Sequence, residues 1–201
     1  MQGDFEAHSR TLDRLGMAWR LVKKPSDLSG LSGLILPGGE STTFLKLLEE
    51  ESLAEPIRSF AATHPVFGTC AGAILLADHV ENPSQPSLGL LRATVRRNAY
   101  GRQLSSSIQV LDAEPELQTG PEAGTPLQAV LIRAPSIVSV GPGVRILARL
   151  DRQPMLVRQG SILAATFHPE LTAETRVHRY FCQMVSAQEG SLRPTEYANA
   201  D

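Results

Sequence analysis

The stretch Val66-Phe67-Gly68-Thr69-Cys70-Ala71-Gly72-Ala73-Ile74-Leu75-Leu76 constrains the fold more than any other part of the chain. A short apolar run meets a glycine-flanked cysteine and leaves at once into a second apolar run. Where a strand turns sharply into a helix the backbone is crowded, and glycine two residues before and two after the central residue removes the Cβ atoms that would clash. Such an elbow lifts the Cys70 thiol above a sheet at a helix N-terminus. There the helix dipole favours an anion, and the Ala71 amide is left to donate to an oxyanion. The pentapeptide alone is also compatible with an inert core cysteine.

Phe167-His168-Pro169-Glu170 follows the apolar run Ser161 to Thr166, so a strand end delivers a histidine. A cysteine hydrolase needs a base within reach of the thiol and a third group that holds the tautomer of that base. His168 and Glu170, two residues apart, fit those roles, and the order along the chain is Cys, His, Glu. The plainer alternative makes His168 a surface loop residue and Glu170 a neighbour of the next helix start.

Two further motifs fit a site for a small charged substrate. Pro37-Gly38-Gly39-Glu40-Ser41 joins a strand end to a helix start, where glycine permits close backbone approach and free amides point outward; a tight turn with a helix cap explains the glycines and Ser41 but not Glu40 at the tip. Arg97, beside Arg96 and Asn98, offers a planar cation able to grip a carboxylate with two bonds. Arg96 reads as solvated, and Arg133 on its own reads as a strand-end surface charge. His8, His64, His79 and His178 have no partner pattern and are read as structural.

Gly68-Thr69-Cys70-Ala71-Gly72 with His168-Pro169-Glu170 resembles a class I, or triad, glutamine amidotransferase. Pro37-Gly38-Gly39-Glu40-Ser41-Thr42-Thr43, Arg97-Asn98-Ala99-Tyr100-Gly101-Arg102-Gln103 and Ile132-Arg133-Ala134-Pro135 are similar to one branch, the glutaminase subunits of pyridoxal 5'-phosphate synthase. The likeness runs from Gln2 to about Val185. It implies a three-layer, flavodoxin-like α/β fold with a mixed, mainly parallel sheet. It also implies a Cys70–His168–Glu170 triad, with L-glutamine contacted by Gly39, Glu40, Ser41, Arg97, Ile132 and Arg133, and an oxyanion hole from the Gly39 and Ala71 amides. No cofactor is implied. The implied partner is a barrel-shaped synthase subunit, in an assembly of twelve plus twelve subunits. A glutaminase for another pathway, or a non-catalytic module on the same fold, are the alternatives.

A chain of 201 residues suffices for one substantial core, and the expected division is a glutaminase domain over residues 1–187 with a flexible tail over 188–201. A formal charge of −2 gives no reason to expect nucleic acid or an anionic membrane as partner. No run approaches bilayer-spanning length and the first residues lack a basic-then-apolar pattern, so a cytoplasmic location is expected. Two cysteines allow one disulfide, but Cys182 lies in an amphipathic pattern and reads as a buried thiol. No His/Cys cluster has metal-ligand spacing, so no metal is expected.

Periodicity and punctuation give the element order. Asp4 to Leu15 reads as a helix stopped by Gly16, Ala18 to Val22 as a strand, and Leu34 to Leu36 as a short buried strand. Ser41 or Thr42 caps a helix running through Leu48, and a further helix covers about Leu53 to Thr63. The strand Val66 to Gly68 leads into the elbow and a helix to about His79. Strands are expected at Leu88 to Arg96, Ser106 to Leu111, Gln128 to Arg133, Ile146 to Leu150, Met155 to Val157 and Ile162 to Thr166, with some antiparallel pairing. Asp112 to Thr125, rich in Pro, Gly and Glu, reads as an exposed loop, and Thr172 to Ala187 as the last helix. The family normally opens with an apolar strand ahead of the Gln-Gly pair, whereas this chain begins Met1-Gln2-Gly3; a start assigned too late is the expected explanation.

Overall fold

In the computed structural model, which describes residues 4–99 and 106–192, three short apolar segments lie side by side and parallel. They are β1 (Leu34–Leu36), β2 (Val66–Thr69) and β10 (Ile162–Ala165), with β2 in the middle and Leu34 and Ile162 both in register with Val66. Each is almost entirely buried because each feeds two cores. Leu34, Leu36, Val66, Ile162 and Ala164 pack on one face with Phe44 and Leu48 of α2 (Ser41–Glu50), Ile57 and Phe60 of α3 (Ala54–Ala61) and Leu75 of α4 (Ala71–Leu76). The alternate residues Ile35, Phe67, Leu163 and Ala165 face the other way, toward Val177, Phe181 and Met184 of α5 (Arg176–Leu192). The two-residue repeat of a strand thus divides one apolar segment between two layers. On the α5 side, the edge of Phe67 also meets His8 of α1 (Phe5–Arg14).

The sheet continues from β10 through β9 (Gln153–Gln159), β8 (Arg145–Leu150) and β5 (Ser106–Ala113) to β6 (Leu127–Ile132). A second sheet joins β3 (Ala77–Glu81), β4 (Leu91–Arg96) and β7 (Ser136–Val140). The sheet is mixed, as expected, but not mainly parallel. Among the described residues only β1–β2, β2–β10 and β3–β4 pair in parallel, while β9–β10, β8–β9, β5–β8, β5–β6 and β4–β7 are antiparallel. The cause lies in the connections, since β8, β9 and β10 follow one another through tight turns, which permit only antiparallel neighbours.

Several local expectations are also corrected. Ala18 to Val22 is irregular rather than a strand: between it and β1 lies a groove of about 500 Å³ lined by Leu12, Leu21, Leu34, Ile35, Phe181 and Val185, so among the described residues it has no backbone neighbour to pair with. The helix after the elbow ends at Leu76, and Ala77–Glu81 becomes β3 because it pairs with β4. β7 was not anticipated. Asp112 to Thr125 is more than an exposed loop. It ends β5 and forms two short 3₁₀ turns, with Leu117 fully buried and Thr125 and Glu122 tied to Arg176 at the start of α5. The last helix runs to Leu192, so residues 188–192 of the expected tail are helical. Cys182 on α5 is a half-buried free thiol, and Cys70 is free as well. Among the described residues, no helix is long and apolar enough to cross a membrane. Residues 1–3 and 100–105, which include the Gln-Gly pair and Tyr100 to Gln103 of the arginine motif, lie outside the described residues.

Candidate active site

The parallel strands β1, β2 and β10 end at the same level, and the chain segments that leave them carry the chemistry-bearing residues. Open α/β sheets bind ligands at this edge, beyond the carboxyl ends of adjacent parallel strands. Gly38 to Ser41 follow β1, Cys70 follows β2, and His168 to Glu170 follow β10. The Cys70 amide is tied to the Ala165 carbonyl at 2.9 Å and the His168 amide to the Val130 carbonyl at 2.9 Å, so the sheet itself fixes both side chains.

Cys70 has φ 47 and ψ −103, a conformation that side-chain-bearing residues seldom adopt and that persists only where the surroundings enforce it. The elbow is possible because α4 lies directly on β1: a Cβ at Gly72 would sit 2.0 Å from the Leu36 carbonyl oxygen. As the first residue of α4, Ala71 has no helical acceptor for its amide. Cys70, Asn98 and Arg133 all have positive φ around one pocket, and Gly39 is there too at φ 145.

That pocket, about 340 Å³, is lined by Asp4, Gly39, Glu40, Ser41, Cys70, Ile74, Arg97, Asn98, Ile132, Arg133 and His168. All six residues expected to contact the substrate are therefore brought to one cavity with the cysteine and the histidine. Ala71 lies just behind Cys70 and is not among the lining residues. Ser41 is buried, with its hydroxyl donating to Gln85 Oε1 at 3.0 Å. The helix after the Gly-Gly turn is capped by Glu40 rather than Ser41 or Thr42: the extended backbone at Glu40 lets its carboxylate accept from the amides of Thr42 at 3.1 Å and Thr43 at 2.7 Å. Hydrogen bonds from Thr42 and Thr43 outweigh partial desolvation and hold the Glu40 carboxyl down at about 2. Arg97 Nη2 is 3.5 Å from the same carboxylate and donates to Thr42 Oγ1 at 3.3 Å.

Behind the pocket wall, His168 Nδ1 donates to Glu170 Oε1 at 2.7 Å, both residues buried. Burial opposes a charged imidazole there, but hydrogen bonds to Cys70 and Glu170 and the charges of both prevail and raise His168 to about 10. Asp4 Oδ2 lies 3.4 Å from the same Nδ1. Asp4, His168 and Glu170 are the one group of three donors close enough together, among the described residues, to hold a metal. An ion on Nδ1 would displace the carboxylate that already occupies that nitrogen.

Asp4 and Asn98 were not anticipated at the pocket, and neither was a buried contact behind it in which His8 touches Thr69 and His178. Nothing in the local pattern around His8 or His178 signals this. They are 170 positions apart and meet only through the fold.

A cysteine elbow, a carboxylate-backed histidine and a small polar pocket on a mixed α/β sheet define a class I glutamine amidotransferase. Solved structures agree: a glutamine amidotransferase crystal structure matches with a TM-score of 0.83 and 45% identity, covering 92% of this chain and 95% of that one. The PurLQS structure from Thermotoga maritima, 17% identical with a TM-score of 0.65 over 89% and 91% of the two chains, shares the fold. Residues 1–187 match the SNO glutamine amidotransferase family, and the chain belongs to it. Among curated relatives, the pyridoxal 5'-phosphate synthase subunit PdxT of Koribacter versatilis is 55% identical over 185 residues, 92% of each chain. The Thermotoga petrophila protein of the same name is 48% identical over 187 residues, 92% of this chain and 96% of that one.

Proposed function

We propose that the pocket binds L-glutamine and that Cys70, His168 and Glu170 hydrolyse its side-chain amide. The observation that carries this reading is the buried His168–Glu170 pair, 2.7 Å apart, at the wall of the cavity that also contains Cys70. The Cys70 thiolate attacks the amide carbon, and the Gly39 and Ala71 amides receive the developing oxyanion. His168, whose proton is held up to about pH 10, gives it to the departing ammonia. A glutamyl thioester remains on Cys70. His168, now neutral, draws a proton from water, which attacks the thioester and releases glutamate, while Glu170 keeps the imidazole oriented throughout.

Arg97 is proposed to meet the α-carboxylate, and Glu40, Ser41, Ile132 and Arg133 to complete the substrate site. Glu40 lies within 3.5 Å of Arg97, so it also fixes the direction of the guanidinium.

Through its family the chain is a glutaminase subunit of pyridoxal 5'-phosphate synthase, which supplies ammonia for vitamin B6 synthesis. Ammonia released into water is protonated and diluted, so this chemistry has value only beside an acceptor enzyme. The relatives' name as a synthase subunit implies a PdxS partner. We infer the twelve-plus-twelve assembly from the resemblance, and a single domain over residues 1–187 and a cytoplasmic setting from the length and patterning of the sequence. The test is glutamate release from L-glutamine with and without the synthase subunit. Activity that appears or rises sharply with the synthase supports the chemistry and the partner together; no release in either case overturns the reading.

A further inference from the structure

His8 is a buried histidine on α1, 4% exposed, with both ring nitrogens engaged. Nδ1 lies 2.9 Å from Nε2 of His178 on α5. Nε2 lies 3.1 Å from the hydroxyl of Thr69, the residue before Cys70, and 3.6 Å from Oε1 of Glu170. That oxygen is the one that accepts from His168, while Oε2 of Glu170 has no hydrogen-bond partner among the described residues. The buried carboxylate is therefore held through one oxygen, and His8 is the second nitrogen donor facing it.

The positions of the protons follow from which atoms lack partners. A carboxylate only accepts, so the His8 nitrogen turned toward Glu170 and Thr69 is the one that carries hydrogen. His8 Nδ1 then holds a lone pair and accepts from His178 Nε2–H. This leaves His178 Nδ1 unprotonated, and that atom is indeed the one without a partner. The reverse tautomers would bury an orphan N–H on His178 and turn a lone pair of His8 toward the carboxylate, and both changes cost free energy. Burial favours the neutral ring: it pushes His8 down to about 4, only partly opposed by the Glu170 charge, and His178 to about 3 with help from the Arg14 charge. The titratable groups facing His8 are Glu170, His178 and His168. The hydrogen bonds run one way, from His178 through His8 to the Thr69 hydroxyl, and the same His8 Nε2–H faces the Glu170 carboxylate at 3.6 Å, beyond hydrogen-bond length.

We propose that His8 is a positioning residue of the glutaminase, a neutral imidazole protonated at Nε2 that His178 holds against Thr69 and Glu170, and that thereby fixes the carboxylate which orients His168. The inference rests on the triad reading of the site. It adds α1 and α5 to the elements that determine whether the triad is correctly aligned. It also explains why two histidines with no sequence pattern are both buried in contact with each other.

The experiment measures glutaminase kinetics with the synthase subunit present, for the parent, His8→Leu, His8→Gln and Cys70→Ala. His8→Leu should lower kcat by 10-fold or more with KM within about twofold, because alignment of the base is lost and the substrate pocket is untouched. His8→Gln, whose amide nitrogen reaches the position of Nε2, should recover most of that loss. A His8→Leu protein with kcat within twofold of the parent, or a His8→Gln protein no better than His8→Leu, overturns the proposal. If His8→Leu does not fold, ¹⁵N spectra of the parent's histidines at neutral pH decide: a neutral Nε2–H form of His8 supports the proposal, and an Nδ1–H or charged ring overturns it. Activity surviving in Cys70→Ala would instead overturn the triad reading itself, so the two failures are distinguishable.

Discussion

Nδ1 of His168 and Oε1 of Glu170 are 2.7 Å apart, and no part of the Glu170 side chain is exposed. A carboxylate so placed accepts a hydrogen bond from Nδ1–H, which fixes the tautomer and, in the proposed triad, leaves Nε2 for the reaction. Glu170→Gln keeps the volume but removes the charge, and its amide can present either end to the ring. The expected result is a kcat lower by about 10² to 10⁴, by analogy with orienting carboxylates in other triads, with KM little changed. Steady-state glutamate release checks this, and a variant retaining half the parental kcat would take Glu170 out of the mechanism.

Cys70 and Cys182 are both free, but only Cys70 lines the polar pocket. Cys182 lies on α5, where burial pushes its thiol up and disfavours the reactive thiolate. A glutamine-analogue electrophile should therefore label Cys70 and leave Cys182 intact, and Cys70→Ala should abolish both labelling and turnover without unfolding the chain. Peptide mapping by mass spectrometry reads the modified residue. Modification centred on Cys182 would contradict the assignment.

What the sequence made legible about the site was local: the elbow at Cys70, the His168–Glu170 pair two residues apart and the Gly-Gly turn before α2 each sit within a few consecutive residues. Asp4 and His8 were illegible because their partners are 61 to 170 positions away and their own neighbours carry no pattern. For the fold, the central strands were recovered nearly to the residue, since Leu34–Leu36 is an apolar run between Gly33 and Pro37 and the apolar pair opening Val66–Thr69 lies between Pro65 and Gly68. Ala18 to Val22 and Ala77–Glu81 were misread for opposite reasons. The first has strand-forming residues but no neighbour to pair with among the described residues, while the second continues an apolar helical run yet finds β4 beside it. Pairing depends on the partner, and periodicity within one segment does not report it.

Arg176 shows how an apparently open loop is held. Its guanidinium, 2% exposed, donates to the Thr125 carbonyl at 3.1 Å, the Glu122 carbonyl at 2.8 Å and the Thr125 hydroxyl at 2.8 Å, and its Nε lies 3.2 Å from Glu174. Arg176→Met removes the side-chain donors to the Thr125 carbonyl and hydroxyl and the charge that pairs with Glu174, while the Glu122 carbonyl keeps the Thr125 amide and hydroxyl and Glu174 keeps the residue-176 amide, for a loss of about 2 kcal/mol. Urea denaturation should show the lower midpoint. Because none of these residues lines the pocket of Cys70 and His168, kcat at temperatures where the variant stays folded should remain within about twofold of the parent. A large kinetic defect in a fully folded variant would mean that the loop communicates with the site.

The buried histidines set the pH range of stability. His8 is pushed down to about 4 by burial against an ordinary value of 6.5, so as pH falls below 6.5 the unfolded chain takes up a proton first. Between those values the unfolded state binds more protons, and stability must fall as pH is lowered, with the loss complete below about 4. The shift amounts to on the order of 3 kcal/mol for His8. His178, pushed to about 3 by burial and the Arg14 charge, carries the decline to lower pH. His168 acts in the opposite sense. Against the opposition of burial, Cys70 and Glu170 raise it to about 10, so its contribution is fully present below 6.5 and is lost as pH rises through 10. Stability should therefore peak near neutral pH and fall on both sides. Urea midpoints measured from pH 4 to pH 10 test this, and a midpoint unchanged between pH 6.5 and pH 4.5 would mean that His8 is already protonated in the folded protein.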